Sequence, residues 1–259
     1  MIKLLYIEWL KYKPNRAFWV LIGMFVILQS FVIYGMDSFK LNLTGTENGQ
    51  QVNFGMLGVL TLPKIWIYLT YIAGFFKIIL AVAVIMLICN EFEYRTFRQQ
   101  LIDGLSRTQM VMSKFLSIFS FTLLSGIVLL LLILMFAKTT DSEVGLLENS
   151  EFLFAYMLQN LGYMSFAFLL ALLMRKTGLT IIMLLLYSFI IEPIILYKFP
   201  EIGSFLPLET FGSLIHSPFT SMLGTELQSG IEPKQVVQGF IYVVLFWFGS
   251  LSIVKQRDF

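Results

Sequence analysis

The sequence predicts an all-α integral membrane protein with six transmembrane helices. Three observations predict it. Only 13% of the 259 residues are charged and 58% are hydrophobic, whereas a soluble domain carries about 25% charged residues. The apolar residues fall into six blocks, at 17–36, 65–89, 115–137, 152–174, 179–197 and 236–254. Each block approaches the roughly 20 residues that a helix needs to cross hydrocarbon. Finally, cutting the chain at those blocks places all the arginines (Arg16, Arg95, Arg98, Arg107, Arg175 and Arg257) in alternate connections. Those connections hold twelve basic residues, and the intervening ones hold five. The positive-inside rule makes the arginine-bearing side cytoplasmic. The expected product is one transmembrane domain, 1–259, in the cell (inner) membrane, with both termini in the cytoplasm.

The elements follow in order. In 1–16, Ile2, Leu5, Tyr6, Trp9 and Leu10 share one sector of a helical wheel, and Lys3, Glu8 and Lys11 lie opposite. An apolar face with a boundary tryptophan suits an interfacial helix in the headgroup plane. Pro14 ends it before the first span. That span lacks a small-x-small cleavage site after it and is too long for a signal-peptide core, so it reads as retained. The external connection at 37–64 is rich in Gly, Asn, Thr and Gln, a composition that favours a loop. Its Asn42-Leu43-Thr44 sequon carries little weight, and its apolar part at 52–62 is expected to tuck against the outer leaflet.

The cytoplasmic stretch 90–114 has the clearest local grammar. Helix-compatible residues run to Ile102, and Gly104 stands where a left-handed residue closes a helix. Ser106-Arg107-Thr108-Gln109 then has the form of a capping box that opens the next helix. The expectation is a helix–turn–helix elbow. Residues 138–151 form a short acidic external segment. Arg175-Lys176-Thr177-Gly178 is a tight cytoplasmic turn. In 198–235 apolar residues at helical spacing are punctuated by Pro200, Pro207, Pro218 and Pro233, which predicts one or two short helices roofing the bundle or dipping into the outer leaflet.

Residues that carry chemistry are few. The chain has no nucleotide-binding or dinucleotide fingerprint, and His216 is its single histidine. Cys89, the single cysteine, excludes an intrachain disulfide. Two ionisable residues lie within spans, Lys77 and Glu192. A charge at mid-bilayer costs about 2.5–3.5 kcal/mol on insertion scales and therefore faces protein or water. Lys77 and Glu192 are candidates for a polar cavity or a hinge, and they can form a pair only if the lysine stem spans their different depths. Gly74, Ser125, Gly126, Gly162, Ser165 and Gly239 are candidates for close helix contact.

These features together resemble the ABC-2 family of ATP-binding-cassette transporter permeases. The resemblance rests on the topology and on Asn90-Glu91-Phe92-Glu93-Tyr94-Arg95-Thr96-Phe97-Arg98, continued by Leu105-Ser106-Arg107 and Lys114. In the family an acidic residue precedes a Gly-Thr pair, and Ser-Arg precedes a Lys at the base of the third span. The tail Lys255-Gln256-Arg257-Asp258-Phe259 is similar to the family's basic-Arg-Asp ending. One position departs: Arg95 stands where the family has glycine.

The resemblance implies a dimer, with a second permease copy, served by separate cytosolic ATPase subunits. ATP and Mg would bind on those subunits, so this chain needs no cofactor and is not itself an enzyme. The elbow would act as a coupling helix, docking through Glu91, Glu93, Arg95, Thr96, Arg98, Ser106 and Arg107. The cargo implied is a hydrophobic or amphipathic lipid, peptide or drug, moved outward, and no nucleic-acid partner is expected. The rival readings are an ion-coupled secondary transporter or channel using Lys77 and Glu192, and an integral membrane enzyme.

Overall fold

The computed structural model of the chain describes residues 2–38, 40–42, 51–53, 60, 62–137, 145, 147–219, 228 and 230–256. The sequon's threonine, most of the apolar stretch 52–62 and the tail from Arg257 onward lie outside the described residues.

Helix α1 (Ile2–Tyr12) is followed by α2 (Arg16–Ser38). Between them Asn15 accepts the Phe18 N–H through Oδ1 at 3.3 Å, satisfying one of the orphan donors at the start of α2. Strands β1 (Lys40–Asn42) and β2 (Gln51–Asn53) pair antiparallel, with Leu41 opposite Val52. This hairpin stands where the sequence suggested a plain loop. Helices α3 (Ile65–Ala73) and α4 (Lys77–Glu93) are joined by a 3₁₀ turn at Gly74–Phe76. Then come α5 (Thr96–Ile102), α6 (Arg107–Phe136) and α7 (Glu151–Met174). Helices α8 (Thr177–Leu186) and α9 (Glu192–Lys198) flank a π turn at Tyr187–Ile191. Two short helices, α10 (Pro200–Gly203) and α11 (Pro207–Gly212), precede α12 (Pro233–Gln256).

Six of these helical stretches are long and apolar enough to cross a membrane: 16–35, 65–93, 107–136, 151–174, 177–198 and 233–256. The all-α membrane fold read from the sequence is therefore present. Two spans are not uniform, however. In the fifth, Pro193 has no N–H to return to the Phe189 carbonyl, and the Glu192 N–H reaches back to the Tyr187 carbonyl, a wider i→i−5 bond. In the second, the ladder tightens at Gly74, a weak helix former. A Cβ at Gly74 would come within 2.8 Å of Gln159 Oε1, so glycine lets the α7 amide lie against the backbone.

Helix α7 is the hub. It packs on α4, α6 and α12, and 67% of its membrane window is buried against 17% for the α8–α9 span. Lipid offers helices no hydrophobic drive to associate, so close packing and interhelical hydrogen bonds do the work. Accordingly, Asn160 on α7 donates Nδ2 to Ser125 Oγ on α6 at 3.2 Å, in fully buried surroundings. At the end away from the elbow, α11 lies across α7 and α12. Its Phe211, fully buried, sits where a Cβ on Gly162 would fall inside its ring, and Gly239 of α12 flanks the same ring. The short helices α10 and α11 thus roof this end of the bundle, with Phe211 of α11 seated on glycines of α7 and α12.

Candidate functional site: an elbow cavity and a polar cavity in the bundle

The elbow is built from local signals. Helix α4 ends at Glu93, and Arg95 turns the chain in the left-handed conformation, φ 54°. This is the position where the resembling family has glycine. The arginine keeps the glycine-like backbone at a steric cost of about 1–2 kcal/mol. Helix α5 then ends before Gly104, φ 92°. The capping box is formed as read: Ser106 Oγ accepts the Gln109 N–H at 3.2 Å, and the Ser106 N–H donates to Gln109 Oε1 at 2.9 Å. Because glycine loses about 0.5–1 kcal/mol of backbone entropy on folding, Arg95→Gly should be mildly stabilising, by about 0.5–1 kcal/mol. Arg95→Val should melt earlier than the parent in the same thermal unfolding series. The reverse order would show that the turn is not strained.

The nominated docking residues divide into two sets. Glu93, Arg95 and Arg98 are exposed and line a cavity of about 650 Å³. Arg175 and Lys176, from the α7–α8 turn, complete its rim. Arg175 also has a left-handed backbone, φ 57°, and its guanidinium lies 5.2 Å from the Phe92 ring. Phe92 in turn stacks on Phe97 at 4.8 Å, which pins α5 to the end of α4. The other nominated residues hold the elbow together. Thr96 Oγ1 donates to the Glu91 carbonyl at 3.3 Å, and Ser106 is the cap. Arg107 donates to the carbonyls of Val254 and Lys255 at 3.2 and 2.5 Å, tying down the last turn of α12.

Glu91 differs from the expectation of an exposed docking residue. It is only 6% exposed and ion-paired to Lys114 at the base of α6. Lys114 also contacts Glu8 of α1 at 2.6 Å, and Lys11 bridges both carboxylates at 3.0 and 2.9 Å. Ser113 and Tyr12 donate further hydrogen bonds to Glu8, at 3.0 and 3.1 Å. Burial works to raise the Glu8 carboxyl, but the ammonium groups of Lys114 and Lys11 outweigh it and hold it at about 2. Burial, and next the Glu8 carboxylate, push the Tyr12 hydroxyl upward. The polar side of α1 therefore faces protein, while Tyr6, Trp9 and Leu10 point outward. The wheel separated the two faces correctly, but it could not say that the charged one is sealed inside.

A second cavity of about 470 Å³ lies within the bundle and under the roof. Lys77 and Glu192 both line it, although among the described residues no ion pair joins them. The Lys77 Nζ instead lies 5.4 Å from the Tyr163 ring centroid, within reach of a cation–π contact. Tyr163 Oη and Ser188 Oγ are 3.0 Å apart. Glu192 accepts the Glu209 N–H at 2.9 Å, capping α11 and fixing the roof. Gln159 is 6% exposed, and its Oε1 has no hydrogen-bond partner.

Residues 4–191 match the family of ABC-2 family transporter proteins. The chain belongs to the ABC-2 family. No curated protein matches it. The protein is thus a transmembrane permease component. Five residues around these sites take parts that the sequence did not show. Glu8 and Lys114 lie 106 positions apart, and Gln159 is an isolated amide in an apolar helix; no local spacing marks either. Arg175 and Lys176 were legible as same-side charges, but not as part of the elbow cavity.

Proposed function

We propose that this permease is the membrane subunit of an ATP-driven exporter of hydrophobic or amphipathic cargo. It works as a dimer in the cell membrane, with both termini in the cytoplasm, and couples through its elbow to separate cytosolic ATPases. The observation that carries this reading is the elbow cavity. Four basic groups and one acid, Glu93, rim a recess between the coupling segment and the α7–α8 turn, and it is large enough to receive a partner's side chains. A push on α5 reaches α4 directly through the Phe92–Phe97 stack and reaches α1 and α6 through the buried ions. Rigid-body displacement of packed helices, biased by contacts that differ between two states, is how such a motor works.

A tagged chain should co-purify with an ATPase encoded beside it, and reconstituted vesicles should show cargo-stimulated ATP hydrolysis. Arg98→Glu reverses one exposed rim charge without touching the buried cluster. It should leave the melting temperature within about 2 °C of the parent, because exposed charges contribute about 0–1 kcal/mol. It should nevertheless reduce coupled transport by tenfold or more. Full coupling in Arg98→Glu would remove the elbow from the mechanism. The rival reading, an ion-coupled carrier, draws on Lys77 and Glu192 sharing one cavity. It requires transport by the permease alone in an ion gradient, with no ATPase present.

A further inference from the structure

The cavity under the roof has a pattern that the transport reading does not use. Its floor is a two-by-two arrangement. On one side Gly74 and Lys77 lie about one turn apart, and on the other Gln159 and Tyr163 do the same. Gly74 faces the Gln159 amide, and Lys77 faces the Tyr163 ring. The roof contributes Glu209 from α11. Phe75, Ile78, Phe189 and Leu196 supply apolar wall. Both irregular turns open onto this space, since Gly74, Phe75, Ser188 and Phe189 belong to them and line it. Interrupted helical ladders in spans are tolerated where they border a cavity, and π turns concentrate at functional sites.

The charges are the deciding feature. Neither Lys77 nor Glu209 has an ion-pair partner among the described residues. Glu192, the cavity's other carboxylate, accepts the Glu209 N–H. An intramembrane lysine held in no ion pair is costly, and so is a buried amide oxygen with no donor. A purely anionic ligand would match Lys77 and oppose Glu209. A purely cationic one would do the reverse. A ligand with both charges can meet each wall with the opposite sign and can give its N–H donors to the Gln159 oxygen.

We infer that this cavity binds the zwitterionic head of an amphiphile, of the phosphoethanolamine kind. The phosphate lies at Lys77, the ammonium lies between Gln159 and Glu209, and the chain runs along the apolar wall. The volume falls within the range of small-ligand sites. The inference names the cargo class of the transporter proposed above and rests on that reading. Binding, however, is measured on the permease alone, so export can fail while binding stands, or the reverse.

The test uses the purified full chain in maltoside detergent with single-chain amphiphiles of equal length. The probes are lysophosphatidylethanolamine, lysophosphatidylglycerol, an alkyltrimethylammonium and a monoacylglycerol. Equilibrium binding should favour the zwitterion at least tenfold over the other three. Lys77→Met should weaken it at least tenfold and abolish the head preference, and Gln159→Leu should weaken it about fivefold. Glu209→Gln, which keeps the backbone N–H bound to Glu192, should also lose the preference for the ammonium. This last variant decides the matter if Lys77→Met does not fold. Equal binding of all four heads, unchanged affinity in the Lys77 and Glu209 variants, or tighter binding of a zwitterionic peptide than of the lysolipid would each overturn the inference.

Discussion

Lys114→Met is expected to destabilise the folded permease by about 3–5 kcal/mol, the usual cost of removing one partner of a buried ion pair. Lys114 is 2% exposed, and Glu8 and Glu91 are 1% and 6% exposed. With the ammonium gone, the two buried carboxylates keep only the partly exposed Lys11 between them, and Glu91 Oε2 already has no hydrogen-bond partner. Lys11→Met touches the same carboxylates from a position 26% exposed. Its loss should cost no more than about 1 kcal/mol.

The two variants should also differ in pH response. In the parent, Glu8 is held at about 2, below its ordinary 4.5. Its contribution is therefore present above about pH 4.5 and is lost as pH falls through about 2. In Lys114→Met the dominant remaining influence on Glu8 is burial, which raises its pKa, so acidification from pH 7 to 5 should restore stability. Thermal unfolding in detergent across that range reads both signs. A Lys114→Met protein that is as stable as the parent at pH 7, or that weakens further on mild acidification, would show that the cluster does not hold α1 to α4 and α6.

Phe211→Ala should cost about 3–5 kcal/mol, the range for emptying a buried aromatic site. The ring is the anchor of the roof, seated between α7 and α12. Gly162→Ala attacks the same seat from below. Its Cβ would lie inside the ring position, and overpacking of this kind costs about 1–3 kcal/mol. Combined, the two changes should be less costly than their sum by at least about 1 kcal/mol, because alanine at 162 fits once the ring is gone. Strictly additive losses would mean that the two residues do not meet. Since α11 is also capped by Glu192 and carries Glu209, loosening the roof should weaken ligand binding in the cavity beneath it.

Much of the elbow could be read in advance. Gly104 and the Ser106–Gln109 box act within four residues, and local hydrogen-bonding grammar is what a sequence displays directly. Arg95 was marked as a departure from a glycine position, and the structure resolves it: the arginine adopts the glycine conformation. Glu91 was misplaced for the opposite reason. Its neighbours Glu93, Arg95 and Arg98 are exposed, and nothing in the nine-residue stretch shows that one carboxylate turns inward to meet a lysine 23 residues on. The π turn has a local cause, Pro193, whose missing N–H is a property of the residue itself. The 3₁₀ turn at Gly74 was not foreshadowed: in the sequence Gly74 was a candidate for close helix contact, and the glutamine it faces lies on another helix.

By itself, the sequence determined that the chain crosses a membrane six times, where the elbow bends and how its next helix is capped. Hydrocarbon thickness and backbone hydrogen bonding impose those features segment by segment. Only the tertiary structure decided which charges are buried, which face one cavity unpaired and why particular glycines are needed. Those outcomes depend on distances between side chains carried by different helices, and one-dimensional order leaves such distances unspecified.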